Sequence, residues 1–563
     1  MTDWFLHPSL LIFIGAALLP LLPAHLRRYW LVLVPVVGLG AILTLPSGEF
    51  GRFEFLGMEL LTGRVDSLSL VFLYAFGIIL TIAAIFAMHV QDRVQHVAAL
   101  VYAGSAMGAV LAGDLITLYV FWELMAITSV WLIWRRGTDV SFASGLRYLL
   151  VHALGGVLLL AGIIVYYQTT GTIAFDQIDP SSQAFYLILI AFGINAAIPP
   201  LHAWLADAYP EATVTGAIFI SALTTKTAVY ALMRGYAGVD MLVWVGAIMC
   251  WYGVTYAVLA NDIRRILAYH IISQVGYMIC AIGLGTALAL NGAAAHAVNN
   301  ILYKSLLFMG AGAVIYMTGK SKLSELGGLY RHMPVTFLLF VVGAASISAL
   351  PLFAGFVSKG IIIEATALEG RGVINLMLFA AGAGTFLSIG LKLLWFTFLG
   401  EDSGLRPREA PRNMLVAMGV AAALCFIIGV APDVLYAVLP AAMDYEPWTL
   451  GHVLKELQVL LFAGLAFFLL LRFVGGKNKI VLDVDWFYRG GGKQAVLAIR
   501  DGISEANIAL RAHFMKGFSA WTARITKRHG RDGKLARTWP TGSMAFWVGV
   551  LLASMLLFGI RQH

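Results

Sequence analysis

Apolar residues in this chain run in long blocks separated by short polar connections, instead of alternating with polar ones. About sixteen blocks stand out, near residues 9–25, 29–46, 66–89, 95–112, 115–134, 143–167, 183–199, 213–235, 240–260, 264–285, 290–318, 333–365, 373–399, 412–438, 452–475 and 542–560. Runs of about 20 apolar residues cross a bilayer as helices. None has the ten-residue in–out alternation of a membrane barrel. The pattern predicts an all-α, polytopic membrane helical bundle of about 14–16 transmembrane helices. Two blocks are interrupted: one ends on Pro199 and Pro200, and 333–365, too long for one straight crossing, contains Pro351, Gly355 and Gly360. Paired interruptions in two halves of a bundle point to an inverted repeat with sites at the breaks.

Composition agrees. The chain has 563 residues, 60% hydrophobic and 12% charged, against about 25% charged in a soluble domain. Arg27 and Arg28 follow the first apolar run instead of preceding it, the reverse of a cleavable signal peptide. Because cytoplasmic loops carry the positive charge, the N-terminus is expected outside and His25–Arg28 inside. Alternation from there puts Arg93, Arg135, Arg136, Arg264, Arg265, Lys320, Lys322, Arg331, Arg406, Arg408 and Arg412 inside. Only Arg52, Arg64, Arg234 and Arg371 fall outside. The expected location is a bacterial inner (cell) membrane.

The organisation expected is N-terminal helices over 1–90, a core over 91–400, further helices over 401–475, a basic segment over 476–541 and a last span over 542–563. Lys477–Arg537 holds thirteen lysines and arginines against five acids. Within it Val496, Ile499, Ile503, Ala506, Leu510, Phe514, Trp521 and Ile525 recur at three- and four-residue steps, as in an amphipathic helix lying on a membrane surface or a neighbouring protein. Its charge points to anionic lipid, not nucleic acid. Cys250, Cys280 and Cys425 have no metal-ligand spacing and read as small core residues. No cofactor or metal is expected, and no redox chemistry of the chain's own.

Charges inside apolar blocks carry the candidate chemistry. A lysine at a helix centre costs roughly 2.5–3.5 kcal/mol on insertion scales, so such groups are functional by default. Glu123, in LYVFWELMAITS, and Lys226, in ISALTTKTAVYALM, lie deep in their blocks. Lys304 follows Asn300 and His296 at steps of four, which puts all three on one helix face. Lys359 follows the Pro/Gly interruption of its block. Lys392, near a helix end, reads as a snorkelling residue, and Arg264 and Arg265 as interface anchors or functional groups. Loss of water disfavours the charged form of amine and carboxyl alike, so a Glu/Lys/His row across a bilayer suggests proton transfer. Static salt bridges are the alternative.

The stretches GDLITLYVFWE, PPLHAWLADAYPEA, SALTTKTAVYALMR, DIRRILAYHIISQVGYM, AVNNILYKSLLFMGAG and ALPLFAGFVSKG together resemble the antiporter-like family of membrane subunits. That family includes the A and D subunits of Mrp-type cation/proton antiporters and the large antiporter-like subunits of respiratory complex I. Related chains occur in membrane-bound hydrogenases and inorganic-carbon uptake complexes. The resemblance covers roughly 60–400 and is strongest to the D-type chain of the Mrp antiporters. It implies two inverted five-helix repeats with broken helices. It also implies a proton relay of Glu123, Lys226, Lys304 and Lys359, with His296, His270, Arg264 and Lys392 as secondary positions. Asn195 stands where most members have a lysine, the partner of the Glu123 position, so the usual Glu–Lys pair is incomplete. LDVDWFYRGGG with the amphipathic helix and last span is similar to the lateral-helix tail of the longest members.

The function implied is a membrane subunit of a multi-subunit monovalent cation (Na⁺)/proton antiporter, whose partners are other membrane subunits, anionic lipid, protons and the cation. The alternatives are a proton-translocating subunit of a redox-driven complex, which would belong to an NADH:quinone oxidoreductase-type assembly, and a membrane partner of an inorganic-carbon uptake complex.

Overall fold

The computed structural model describes residues 7–475, 483–487, 492–531, 533 and 536–559. They form two compact units, Met1–Val481 and Leu482–His563. In the first, the helices are α1 (Pro8–Leu18), α2 (Ala24–Leu43), α3 (Ser67–Ala87), α4 (Arg93–Leu111), α5 (Leu115–Trp134), α6 (Asp139–Thr170), α7 (Ala184–Asn195), α8 (Ala203–Ala208) and α9 (Gly216–Gly235). Then follow α10 (Met241–Leu259), α11 (Ile263–Leu284), α12 (Ala287–Thr318), α13 (Pro334–Ile347), α14 (Ala354–Leu368), α15 (Gly372–Thr385), α16 (Arg412–Val430), α17 (Asp433–Tyr436), α18 (Leu450–Leu469) and α19 (Leu471–Val474). The chain continues from α15 in wide π-type turns over Phe386–Leu393 and Trp395–Leu399. Among the described residues thirteen helices are long and apolar enough to cross a membrane, α15 and its continuation counted together. Shorter apolar helices occupy Pro8–Leu21, Ala184–Asn195 and Pro334–Ile347.

The helical bundle carries one small element of a different kind. β1 (Gly48–Phe55) and β2 (Met58–Val65) pair antiparallel, Gly48 opposite Val65 and Phe55 opposite Met58. The loop between them is Leu56–Gly57, both at positive φ (52° and 76°), the backbone that two-residue hairpin turns require. Charges and apolar residues alternate locally here, at Glu49, Phe50, Arg52, Phe53, Glu54 and Phe55; a search for membrane-length runs passes over so short a period-two signal.

Helices α4–α9 and α10–α15 are two copies of one pattern. α6 and α12 are both 32 residues long and end on left-handed glycines, Gly171 and Gly319. Asp114 caps α5 and bridges to Ala174; Asp262 caps α11 and bridges to Lys322. α7 stops mid-block and the chain resumes in α8; α13 stops and resumes in α14. The two stops share their hydrogen bonds. In the first, the amides of Ala196, Ala197 and Ile198 donate to the carbonyls of Phe192, Ile194 and Gly193. In the second, those of Ser348, Ala349 and Leu350 donate to Ala344, Ser346 and Ala345. Ala197 and Ala349 sit at φ 57° and 58°, a left-handed region that non-glycine residues seldom occupy. Five crossings per copy leave the second copy inverted relative to the first, as the interrupted blocks predict.

The arginines sort onto two faces. Arg64 pairs with Asp176 and Arg234 with Asp66, each at 2.8 Å, and Arg371 pairs with Asp240. On the opposite ends of the helices Arg135 pairs with Asp92 and Arg136 with Glu211. α9 and α11 are each buried over a membrane-spanning length, and the middle of the first unit is built around them.

The second unit contains α20 (Gly492–His529) and α21 (Thr541–Gly559). α20 extends the predicted amphipathic helix, and Val496, Ile499, Ile503, Leu510, Phe514 and Trp521 are all exposed on it. Of the basic segment, residues 476–482, 488–491, 532, 534 and 535 lie outside the described residues.

Candidate functional site

The interior is polar along a row of positions that apolar helices bring together. Lys226, in the middle of α9, is fully buried and its ammonium donates to the Ser221 carbonyl of its own helix at 3.0 Å. Lys304, on α12, is fully buried and has no hydrogen-bond partner among the described residues. Lys226 and Lys359 are the charges that act on Lys304, and the same two act on His296. His296 Nδ1 lies 3.0 Å from the Ser358 hydroxyl, one residue before Lys359. Its Nε2 lies 3.4 Å from the Tyr303 hydroxyl, which donates to Gln274 at 3.3 Å and accepts from Asn300 at 3.1 Å. The i, i+4, i+8 spacing of His296, Asn300 and Lys304 thus becomes one face of α12 turned toward α9, α11 and α14.

Lys359 answers the break in the second copy. A helix that stops leaves carbonyls without intrahelical donors, which in a membrane must be satisfied internally. The Lys359 ammonium donates to the Ile347 carbonyl at 2.6 Å and lies 5.1 Å from the centre of the Tyr277 ring. In the first copy the donor is neutral: the Trp204 indole bonds the Ile194 carbonyl at 2.9 Å. Asn195 is buried at the equivalent stop, and its Oδ1 has no partner among the described residues.

Glu123 stands apart. It is half-buried between α5 and α6, with Oε1 enclosed and without a hydrogen-bond partner among the described residues. Gly156 makes the space, since a Cβ there would overlap Oε1. The structure therefore brings Lys226, Lys304, His296 and Lys359 into one group and leaves Glu123 at the outer edge of the first copy.

His270 Nε2 lies 2.7 Å from the Ser388 hydroxyl, in the π-type stretch after α15, and Lys304, Lys359 and Lys392 act on it. Two expectations change. Lys392 does not snorkel: it is 1% exposed and caps the end of α10, donating to the carbonyls of Val258 and Ala260. Arg264 is no exposed anchor: it is 2% exposed and donates to the Ala212 carbonyl at 2.8 Å, while Arg265 is only part-buried. The static salt-bridge alternative also fails, since Lys226, Lys304, Lys359 and Lys392 form no ion pair with a carboxylate among the described residues. All three cysteines are buried and unpaired, as core residues are.

Two buried groups escape the charge pattern of the blocks. Glu456 is a buried carboxyl on α18. His152 is a buried imidazole stacked on Tyr148, with Nδ1 2.9 Å from the Tyr148 carbonyl. A census of every ionisable residue in the apolar blocks finds both.

The family model of the NADH:quinone oxidoreductase/Mrp antiporter transmembrane region matches residues 112–387. The chain is 31% identical over 374 residues to the D subunit of a Na⁺/H⁺ antiporter from Alkalihalophilus pseudofirmus, covering 62% of this chain and 76% of that one. It is 27% identical over 443 residues to hydrogenase-4 component B of Escherichia coli, covering 70% and 65%. Among solved structures, a chain of the archaeal membrane-bound sulfane sulfur reductase superposes with a TM-score of 0.71 at 23% identity, over 98% of this chain and 99% of that one. A chain of the Mrp complex from Dietzia sp. DQ12-45-1b gives 0.65 at 23% identity, over 81% and 95%. The shared fold, the two broken helices and the antiporter relative together place this chain in the NADH:quinone oxidoreductase/Mrp antiporter transmembrane family.

Proposed function

We propose that the chain is a membrane subunit of a multi-subunit monovalent cation/proton antiporter and that protons cross its interior along Lys226, Lys304, His296 and Lys359. The observation that carries the reading is the group of buried bases on α9, α12 and α14 with no carboxylate ion-paired to them among the described residues. A buried ammonium without a counter-ion is costly to keep charged. Each lysine therefore alternates between ammonium and amine as its neighbours' charges change, and proton movement follows. Buried polar atoms without protein partners among the described residues, on Thr225, Asn300 and Ser305, fit a hydrated route, because such atoms are normally satisfied by ordered water.

Glu123, at the α5–α6 edge, is the entry group for this half, and Asn195 beside the first break supplies a hydrogen bond where a charge would otherwise stand. The arginine-poor face with the hairpin is outside and the arginine-rich face cytoplasmic, by the positive-inside rule; this sets the N-terminus outside, in a bacterial cell membrane. The basic face of α20 lies on anionic lipid or a neighbouring protein of the complex.

A second reading, a proton-translocating subunit of a redox-driven complex, is favoured by one observation. The likeness to the archaeal respiratory complex runs over 98% of this chain, including the part beyond the antiporter-like core, against 81% for the Mrp complex. Proton flux in everted vesicles carrying the chain with its natural partners separates the two. Collapse of ΔpH on adding Na⁺ or K⁺ supports antiport. Flux that answers only to an electron donor supports the redox-driven reading.

A further inference from the structure

α18 lies outside the family-matched residues, yet it lays a carboxyl and an imidazole beside the last lysine of the row. Glu456 is 6% exposed on this apolar helix. Glu456 and Lys359 lie within electrostatic reach of each other. One turn earlier, His452 Nε2 lies 4.0 Å from Glu456 Oε1.

The tautomer of His452 follows from its other nitrogen. Nδ1 lies 2.9 Å from the Pro447 carbonyl, which can only accept, so Nδ1 carries the hydrogen and Nε2 offers its lone pair toward Glu456. The ring stacks on Phe356, three residues before Lys359, at 4.3 Å between centroids. Gly360 lets it approach: a Cβ there would meet His452 Cε1 and the Tyr445 hydroxyl at 2.6 Å. Exposure rises along the series. Lys359 is 2% exposed and Glu456 6%, the His452 side chain reaches 14%, and Glu446 is on the surface. That surface carries residues 437–449, at the end of α16 away from Arg406–Arg412.

We propose that Glu456 and His452 form the outlet through which the proton on Lys359 leaves the membrane, a site assembled by α18 and the broken α14. The inference rests on the proton-relay reading above and names its exit. The Lys359 ammonium gives its proton to the Glu456 carboxylate across an intervening water, leaving an amine and a carboxylic acid. The acid passes a proton to Nε2 of His452. The imidazolium then releases one to bulk water and returns to its Nδ1–H form.

The test is cation- or donor-driven proton flux in everted vesicles carrying the whole complex, with Glu456→Gln, Glu456→Asp and Lys226→Ala compared at equal assembly. Glu456→Gln is expected to lower flux at least tenfold and Glu456→Asp to keep a measurable part of it. Wild-type flux in Glu456→Gln beside lost flux in Lys226→Ala overturns the outlet and leaves the relay standing. Unchanged flux in both overturns the relay and the outlet with it. Should Glu456→Gln fail to assemble, the wild-type complex is treated with dicyclohexylcarbodiimide, which attacks protonated carboxyls in apolar surroundings. Modification mapped to Glu456 with matching loss of flux supports the outlet, and an unmodified Glu456 overturns it.

Discussion

The ammonium of Lys359 lies 2.6 Å from the carbonyl oxygen of Ile347, across the gap where α13 ends and α14 begins. The same gap in the first copy is closed by the Trp204 indole on the Ile194 carbonyl. One break is held by a group that can lose a proton and the other by a group that cannot. Deprotonation of Lys359 still leaves an N–H to donate, so the break survives while its charge changes. This asymmetry concentrates the titratable row in the second copy and on α9, the last helix of the first.

Glu123 depends on the absence of a side chain at Gly156. Gly156→Ala should displace the carboxyl, because the new Cβ would overlap Oε1. Flux should fall several-fold with assembly retained, and the double variant Gly156→Ala/Glu123→Gln should fall no further than Glu123→Gln alone, as coupled neighbours do. Independent, additive losses would separate the glycine from the glutamate.

The two breaks carry backbone strain that can be measured. Left-handed φ costs a non-glycine residue roughly 1–2 kcal/mol, partly offset by the entropy that glycine loses on folding. Ala197→Gly and Ala349→Gly should each raise stability by up to about 1 kcal/mol, and valine at either position should lower it. Thermal unfolding of the detergent-solubilised complex reads this; equal midpoints for the glycine and valine variants would contradict it.

Lys392 caps the C-terminal end of α10 through two carbonyls, where a cation also meets the negative end of the helix dipole. Lys392→Met should leave those carbonyls without donors and cost roughly 1–3 kcal/mol, seen as a lower unfolding midpoint. An unchanged midpoint would mean that the contact contributes nothing to holding α10 against the chain after α15.

Much of this is legible in the blocks. The sixteen apolar runs each contain helix, and the Pro/Gly interruptions at 199–200 and 351–360 mark the breaks, because proline has no amide hydrogen to continue a helix and glycine weakens one. Lys226, Lys304 and His296 are legible for the same reason that they are costly: a charge amid apolar residues stands out. The hairpin is not, since eight residues of alternation are lost among twenty-residue runs. Nor is the burial of Lys392 and Arg264, because sequence depth measures distance along a helix and says nothing of which face meets a neighbour. Glu456 is hidden by position; six residues into its helix it reads as an end group until α14 is seen packed against it.

In the proposed relay Lys226 carries protons between the two halves, and the most direct test of that role is flux in everted vesicles bearing the natural complex with Lys226→Ala. Assembly at wild-type level with proton flux lowered at least tenfold is the result predicted. Full flux in an assembled Lys226→Ala complex would contradict it, and the buried lysine on α9 would then be a structural residue.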